Sequence, residues 1–266
     1  MKSNDQLQTS LKGKTVVITG GSSGVGRAAA EAFALEGCNI VVAARGKEGL
    51  DETVALCRDL EVAAIGVPTD VSIAADVQNL ANKALQFNGR IDVWINNAGA
   101  MASGKFEEIP MELNEQVIKT NLFGYMHGAY SVLPIFKKQN EGILINNVSI
   151  GGFMPAPYSA VYSATKFGIR GMMECLHGEI QIFHKFISVI FIRRFRGQPE
   201  ICIPLNFQGW ILRFRRLQRI QEILQPNLWS LQKIHKKTFS RILPQKSLQL
   251  LTDYSRKQLS IPHQQE

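Results

Sequence analysis

Thr15-Val-Val-Ile-Thr-Gly-Gly-Ser-Ser-Gly-Val-Gly26 joins a short apolar run to a glycine- and serine-rich turn, and an alanine-rich stretch follows to about residue 36. Five consecutive β-favouring residues suit a strand buried on both faces. Glycines in the turn permit tight curvature and close backbone approach. The alanine-rich stretch is helical by propensity, and its first turn leaves free N–H groups at a positive dipole end. A second apolar run, Asn39-Ile-Val-Val-Ala43, closes a unit of about 30 residues with β-α-β periodicity. An anion, above all a diphosphate, fits the junction between strand and helix. Gly20, Ser22, Ser23, Gly24, Val25 and Gly26 are its candidate contacts. A glycine-rich turn alone is an ordinary loop; its place between strand and helix is what gives it meaning.

Outward from that unit the alternation continues. Periodicity predicts helices near 47–60 and 73–87, a long one near 111–137, and another near 159–182. Strands are predicted near 63–67, 91–95, 142–148 and 187–192. Repeated strand–helix units predict a Rossmann-type, doubly wound parallel sheet with helices on both faces, a three-layer α/β/α fold. Such sheets bind ligands at the carboxyl ends of their strands.

A dinucleotide site selective for NAD usually has Asp or Glu at the end of the second strand. Here the stretch is Ala43-Ala44-Arg45, without a carboxylate. The planar fork of Arg45 suits a 2′-phosphate, so the reading favours NADP over NAD. The ordinary reading of Arg45 is a surface arginine. Arg27 and Lys47 are weaker candidates, read as solvated helix charges.

Three further motifs lie in order along the chain: Asn96-Asn-Ala-Gly99, Asn121 with Ser149, and Tyr162-Ser-Ala-Thr-Lys166. With Thr19-Gly20-x-x-x-Gly24-x-Gly26 and Asp70-Val71, this pattern resembles the short-chain dehydrogenase/reductase family over about residues 12–190. Each motif is modest; their shared order and spacing is specific. The resemblance implies an NAD(P)-binding domain that transfers hydride between nicotinamide and a carbonyl or alcohol. It implies that Asp70 and Val71 contact the adenine and that Asn97, Ala98 and Gly99 close the sheet under the cofactor. It assigns Asn121 to a water in a proton relay and Ser149 to the substrate oxygen. Tyr162 would give or take the proton, while Lys166 would bind the nicotinamide ribose and tune Tyr162.

The residues support this independently. Tyr162 and Lys166 are four apart and share one helix face. A free tyrosine titrates near pH ~10 and is a poor base at neutral pH. A neighbouring ammonium favours its phenolate. Gly151 to Pro157 could fold Ser149 back beside the tyrosine. The ordinary readings are a strand cap for Ser149 and a buried helix polar group for Asn121. Tyr158 has no lysine four residues on and reads as wall or substrate contact. His127, His177 and His184 lack the spacing of metal ligands and read as surface or core residues, so no metal is expected.

The chain has 266 residues, 45% hydrophobic and 20% charged, the composition of a globular protein. Residues 1–11 form a polar extension without the apolar stretch of a signal peptide. No run of about 18 apolar residues appears, so no membrane span is expected. Cys38, Cys57, Cys175 and Cys202 show no paired spacing and read as reduced thiols of a cytoplasmic protein.

The net charge of +8 is unevenly held. Residues 1–190 carry 16 Lys and Arg against 18 Asp and Glu, whereas 191–266 carry 14 against 4. Twenty of the 22 glycines precede residue 191. The family pattern also stops there: no Pro-Gly turn follows Ile187-Ser-Val-Ile190. A shifted reading frame from about residue 190 accounts for all three features. The rival is a genuine basic extension, with an amphipathic helix over 210–224 that could dock on an anionic membrane or a partner. An intact closing segment implies a working reductase and a homo-oligomer. A scrambled one leaves a cofactor-binding protein impaired in turnover. Nucleic acid is not an expected partner, since no recognition module is present.

Overall fold

The computed structural model describes residues 11–180, 186–192 and 201–204.

The strand–helix alternation is present as predicted. Strands are β1 (Thr15–Thr19), β2 (Asn39–Ala44), β3 (Ala64–Pro68), β4 (Val93–Asn96), β5 (Gly142–Asn147), β6 (Phe186–Ile192) and β7 (Ile201–Pro204). Helices are α1 (Gly24–Leu35), α2 (Lys47–Asp59), α3 (Ala74–Asn88), α4 (Met111–Ile118), α5 (Gly124–Gln139) and α6 (Ala160–Ile180). The sheet order is β3-β2-β1-β4-β5-β6-β7. β1 to β6 pair in parallel and β7 pairs antiparallel to β6.

Alternate residues of β1, β2, β4 and β5 feed two cores. Val17, Val41, Trp94 and Leu144 pack with Leu80 of α3, Phe136 of α5 and Met173 of α6. Ile18, Ile40, Ile95 and Ile145 pack with Phe33 of α1 and Leu50 of α2. The two-residue side-chain period thus makes the three-layer architecture directly.

Two differences from the sequence reading stand out. The long helix expected near 111–137 is interrupted by a π turn over Lys119–Phe123, where the Gly124 N–H donates to the Lys119 carbonyl five residues back. One extra residue per turn hardly disturbs the apolar pattern, so periodicity misses it. The strand β7 lies in the stretch where no strand was expected. Only eight residues separate Ile192 from Ile201. A parallel return needs a crossover of about a dozen or more, so the antiparallel pairing follows from the chain length.

The chain leaves β1 toward β2 and β3, then returns to the other side of β1 with β4. Strand order therefore reverses between β1 and β4. The carboxyl ends of these two strands flank the crevice where open α/β sheets place their ligands.

Candidate active site

The glycine turn after β1 is built for close contact. Gly20 has φ +67°, and a Cβ there would sit 2.8 Å from Ala98 Cα. At Gly26 a Cβ would collide with the Gly20 carbonyl and lie 2.7 Å from Asn97 Nδ2. Any side chain at either position fills the space the turn needs. Ser23 occupies the N-cap of α1 without bonding the first turn, and that turn has no acidic residue. Among the described residues no side chain thus compensates its N–H groups and dipole, the state an anionic diphosphate requires. The residues present fit such a group.

Arg27 is not the solvated charge expected. It donates to the Ser22 carbonyl (2.7 Å), the Thr53 hydroxyl (3.1 Å) and the Glu52 carboxylate (2.6 Å). The Thr53 hydroxyl shares its one proton between the Gly49 carbonyl of its own helix (2.9 Å) and the Gly21 carbonyl of the turn (3.1 Å). The pair clamps the turn onto α2, the helix that begins just after Arg45. Arg45 itself is exposed, and its positive charge reaches Asp70. The Asp70 carboxyl is held below the usual carboxylate range, chiefly by the Ser72 hydroxyl that donates to it at 2.6 Å. Val71 beside it is a core residue packed against Gly124, with its carbonyl 2.9 Å from His127 Nδ1.

Asparagines connect the turn to α6. Asn97 donates to the Thr19 and Gly20 carbonyls at 3.0 and 3.2 Å. Asn147, at the end of β5, donates to Asn97 Oδ1 at 3.0 Å. The Asn147 carbonyl accepts from Lys166 Nζ at 2.8 Å. A continuous hydrogen-bonded chain therefore runs from the glycine turn to the lysine.

Tyr162, Lys166 and Ser149 come together as their sequence positions implied. Lys166 is 4% exposed, and its ammonium lies 5.7 Å from the centre of the Tyr162 ring. Burial pulls its pKa down to about 7. A Cβ on Gly151 would stand 3.0 Å from Tyr162 Cε1 and 3.9 Å from Ser149 Oγ, so that one glycine separates the two hydroxyl-bearing side chains. Ser149 has φ +72° and ψ 158°, a strained conformation for a residue with a side chain, and its Oγ accepts from the Gly151 N–H at 3.3 Å. Such strain persists only where the surroundings impose it.

Asn121 sits in the π turn and is fully buried. Its amide is engaged by protein: it accepts from the Ala100 N–H and donates to the Ala100 carbonyl, both at 2.8 Å, and donates to Thr165 Oγ1 at 3.3 Å. Its side chain therefore braces the segment after β4 against α6. Tyr158 is exposed at φ +65°, and its carbonyl accepts from the Gly104 N–H.

Sequence reasoning missed three residues. Thr165 donates to the Tyr162 carbonyl (2.7 Å). Asn147 carries the lysine. Tyr125, 1% exposed on α5, places its hydroxyl 3.0 Å from the Asn147 carbonyl and 3.3 Å from Lys166 Nζ. The available signals were faint: a polar residue at the end of an apolar strand, and a tyrosine four residues after Asn121.

A family model described as short chain dehydrogenase matches residues 14–193. The chain belongs to the short-chain dehydrogenase family. Among curated relatives, an uncharacterized oxidoreductase of Listeria monocytogenes is 36% identical over 169 residues, covering 64% of this chain and 68% of the relative. An uncharacterized oxidoreductase of Staphylococcus epidermidis is 32% identical over 170 residues, covering 64% and 73%. A short-chain dehydrogenase/reductase of Burkholderia phymatum, solved in complex with NAD, superposes with a TM-score of 0.67 at 28% identity, covering 81% of this chain and 84% of that one. An NAD+-bound xylitol dehydrogenase gives 0.65 at 25% identity, covering 68% and 71%. This short-chain dehydrogenase is accordingly an oxidoreductase with a nucleotide-binding Rossmann fold. Among the described residues no helix is long and apolar enough to cross a membrane.

Proposed function

We propose that this short-chain dehydrogenase is an NADP-dependent reductase of small carbonyl compounds, or the reverse alcohol dehydrogenase, with Tyr162 as the proton donor and acceptor. The observation that carries the reading is the buried Lys166 ammonium beside the Tyr162 ring, with Ser149 just across Gly151. A bound nicotinamide supplies or takes the hydride. The chain's own groups do the rest. Ser149 Oγ polarises the substrate oxygen, and Tyr162 Oη moves the proton to or from it. Lys166 holds positive charge next to that oxygen as charge develops there, in a site where burial strengthens the interaction. Gly20, Ser22, Ser23, Gly24, Val25 and Gly26 receive the diphosphate, Asn97, Ala98 and Gly99 support the cofactor from β4, and Asp70 and Val71 border the adenine. Asn121 braces Thr165 and through it the Tyr162 backbone, and its Oδ1, which keeps one lone pair beside the bond from the Ala100 N–H, holds the relay water.

The preference for NADP rests on Arg45, which stands where a carboxylate would select NAD. Arg45→Asp is expected to raise the Kd for NADPH by about tenfold or more while improving NADH binding. Equal affinities of the parent protein for NADPH and NADH would refute the preference. Buried reduced thiols at Cys38 and Cys57, held protonated by burial with pKa values pushed up to about 12 and 11, fit a cytoplasmic setting. A homo-oligomer belongs to the same reading and is checked by light scattering.

A second reading has its own observation. The family match ends at residue 193, where the charge and glycine content change. If the segment beyond does not close the site, the protein binds nucleotide without turnover. NADPH fluorescence titration together with an assay over a panel of carbonyl substrates separates the two: quenching without oxidation supports the second.

A further inference from the structure

Tyr125 belongs to no motif of the family pattern, yet it shares the Asn147 carbonyl with Lys166. Lys166 Nζ donates to that carbonyl at 2.8 Å, the Tyr125 hydroxyl donates to it at 3.0 Å, and the two donors lie 3.3 Å apart. A hydroxyl whose proton is committed to a carbonyl turns its lone pairs toward the remaining neighbour. Here that neighbour is the ammonium, so Tyr125 can accept from Lys166 without giving up its own bond. We propose that Tyr125 is a positioning residue that seats the Lys166 ammonium at the end of β5 and keeps it charged beside Tyr162.

The surroundings leave this task to few groups. Among the described residues, the titratable side chains in contact with the ammonium are Tyr125 from α5 and Tyr162 from its own helix. The turn packed beneath α6 is Ile150-Gly-Gly152 and brings no charge. Among the described residues no carboxylate acts on the lysine, and burial is what lowers its pKa. A buried cation without a counter-ion is costly unless polar groups solvate it. Two oxygens do so, and one is the Tyr125 hydroxyl. The hydroxyl stays neutral, since burial first and the proximity of Tyr162 second push its pKa well above the ordinary tyrosine value. Asn147 extends the arrangement: its side chain bonds Asn97, which bonds the glycine turn. The seat of the ammonium is thus tied to the segment expected to receive the diphosphate.

This inference rests on the reading of Lys166 as half of the proton-handling pair. Tyr125→Phe removes the hydroxyl and retains the ring. The Lys166 titration, followed by NMR of 13Cε-labelled lysine in the full chain without cofactor, is expected to move to lower pH by about half a unit to one unit. The alkaline limb of kcat/KM for carbonyl reduction is expected to move in the same sense, with about three- to tenfold loss above the limb and a smaller loss at pH 6. Coincident lysine titrations in the two proteins would overturn the proposal, as would a loss of kcat/KM that is equal at every pH. Tyr125→Met is the second hydroxyl-free variant. In the parent protein itself, absence of contact between the Lys166 ε-methylene and the Tyr125 ring protons would also overturn it, whether or not either variant folds. Full turnover by Lys166→Met would instead contradict the catalytic reading of Lys166, while the lysine titration still decides the role of Tyr125.

Discussion

Lys166 is a cation placed where the fold would rather have none. It is buried beside two aromatic rings, and the desolvation lowers its pKa from 10.5 to about 7. The folded value lies below the unfolded one, so the penalty on stability is fully present below about pH 7 and fades as pH rises toward 10.5. Replacing the charge with an apolar chain of similar length should therefore stabilise the protein most at low pH. Lys166→Met is expected to raise the Tm at pH 6 by about 2 °C or more, with the gain shrinking at pH 9, as read by calorimetry. An unchanged or lowered Tm at pH 6 would show that the ammonium is well solvated in place. Tyr162, Lys166 and Ser149 were legible in the sequence because four-residue spacing fixes a helix face and a strand end fixes a serine. Tyr125, Asn147 and Thr165 were not. Tyr125 and Asn147 act through bonds between α5, β5 and α6, and Thr165 through the bond it accepts from Asn121, so local pattern records them only faintly; the bonds of Arg27 to α2 are non-local in the same way.

At the scale of elements, the turn after β1 and its clamp explain how a loop becomes a rigid site. Arg27 and Thr53 bind the Ser22 and Gly21 carbonyls to α2, while Asn97 binds the Thr19 and Gly20 carbonyls to β4. Gly26 faces the interior of this arrangement, where a Cβ meets the Gly20 carbonyl. Gly26→Ala must displace the turn, and a strain of about 1–3 kcal/mol is typical of such overpacking. The expected result is NADPH binding weakened by about tenfold or more in a protein that still folds. Unaltered affinity in fluorescence titration would mean that the turn does not hold the diphosphate. The elements themselves were largely legible, because strands buried on both faces are continuous apolar runs and the helices between them are amphipathic or alanine-rich. The π turn was not, since a single added residue leaves the apolar rhythm of α4 and α5 nearly intact, though it is what carries Asn121 to the Ala100 backbone.

On the scale of the whole molecule, the family pattern and the charge distribution change at nearly the same place. The match to the short-chain dehydrogenase family covers residues 14–193, and the basic excess lies beyond 190. The amphipathic stretch over 210–224 lies outside the described residues. We propose a shifted reading frame for the segment after about residue 190, and the gene's nucleotide sequence is expected to restore a Pro-Gly turn and a final strand in another frame; no frame doing so would refute it. The crevice between β1 and β4 is built entirely from residues before that point. The reaction needs more, because the site must also close over its substrate. Whether Tyr162 moves the proton in a nicotinamide-dependent oxidoreduction is decided by NADPH oxidation by the full chain and by Tyr162→Phe over a panel of carbonyl substrates. The expected result is turnover by the parent protein and a loss of at least about a hundredfold in the variant, with NADPH binding retained. Full turnover by Tyr162→Phe would contradict it.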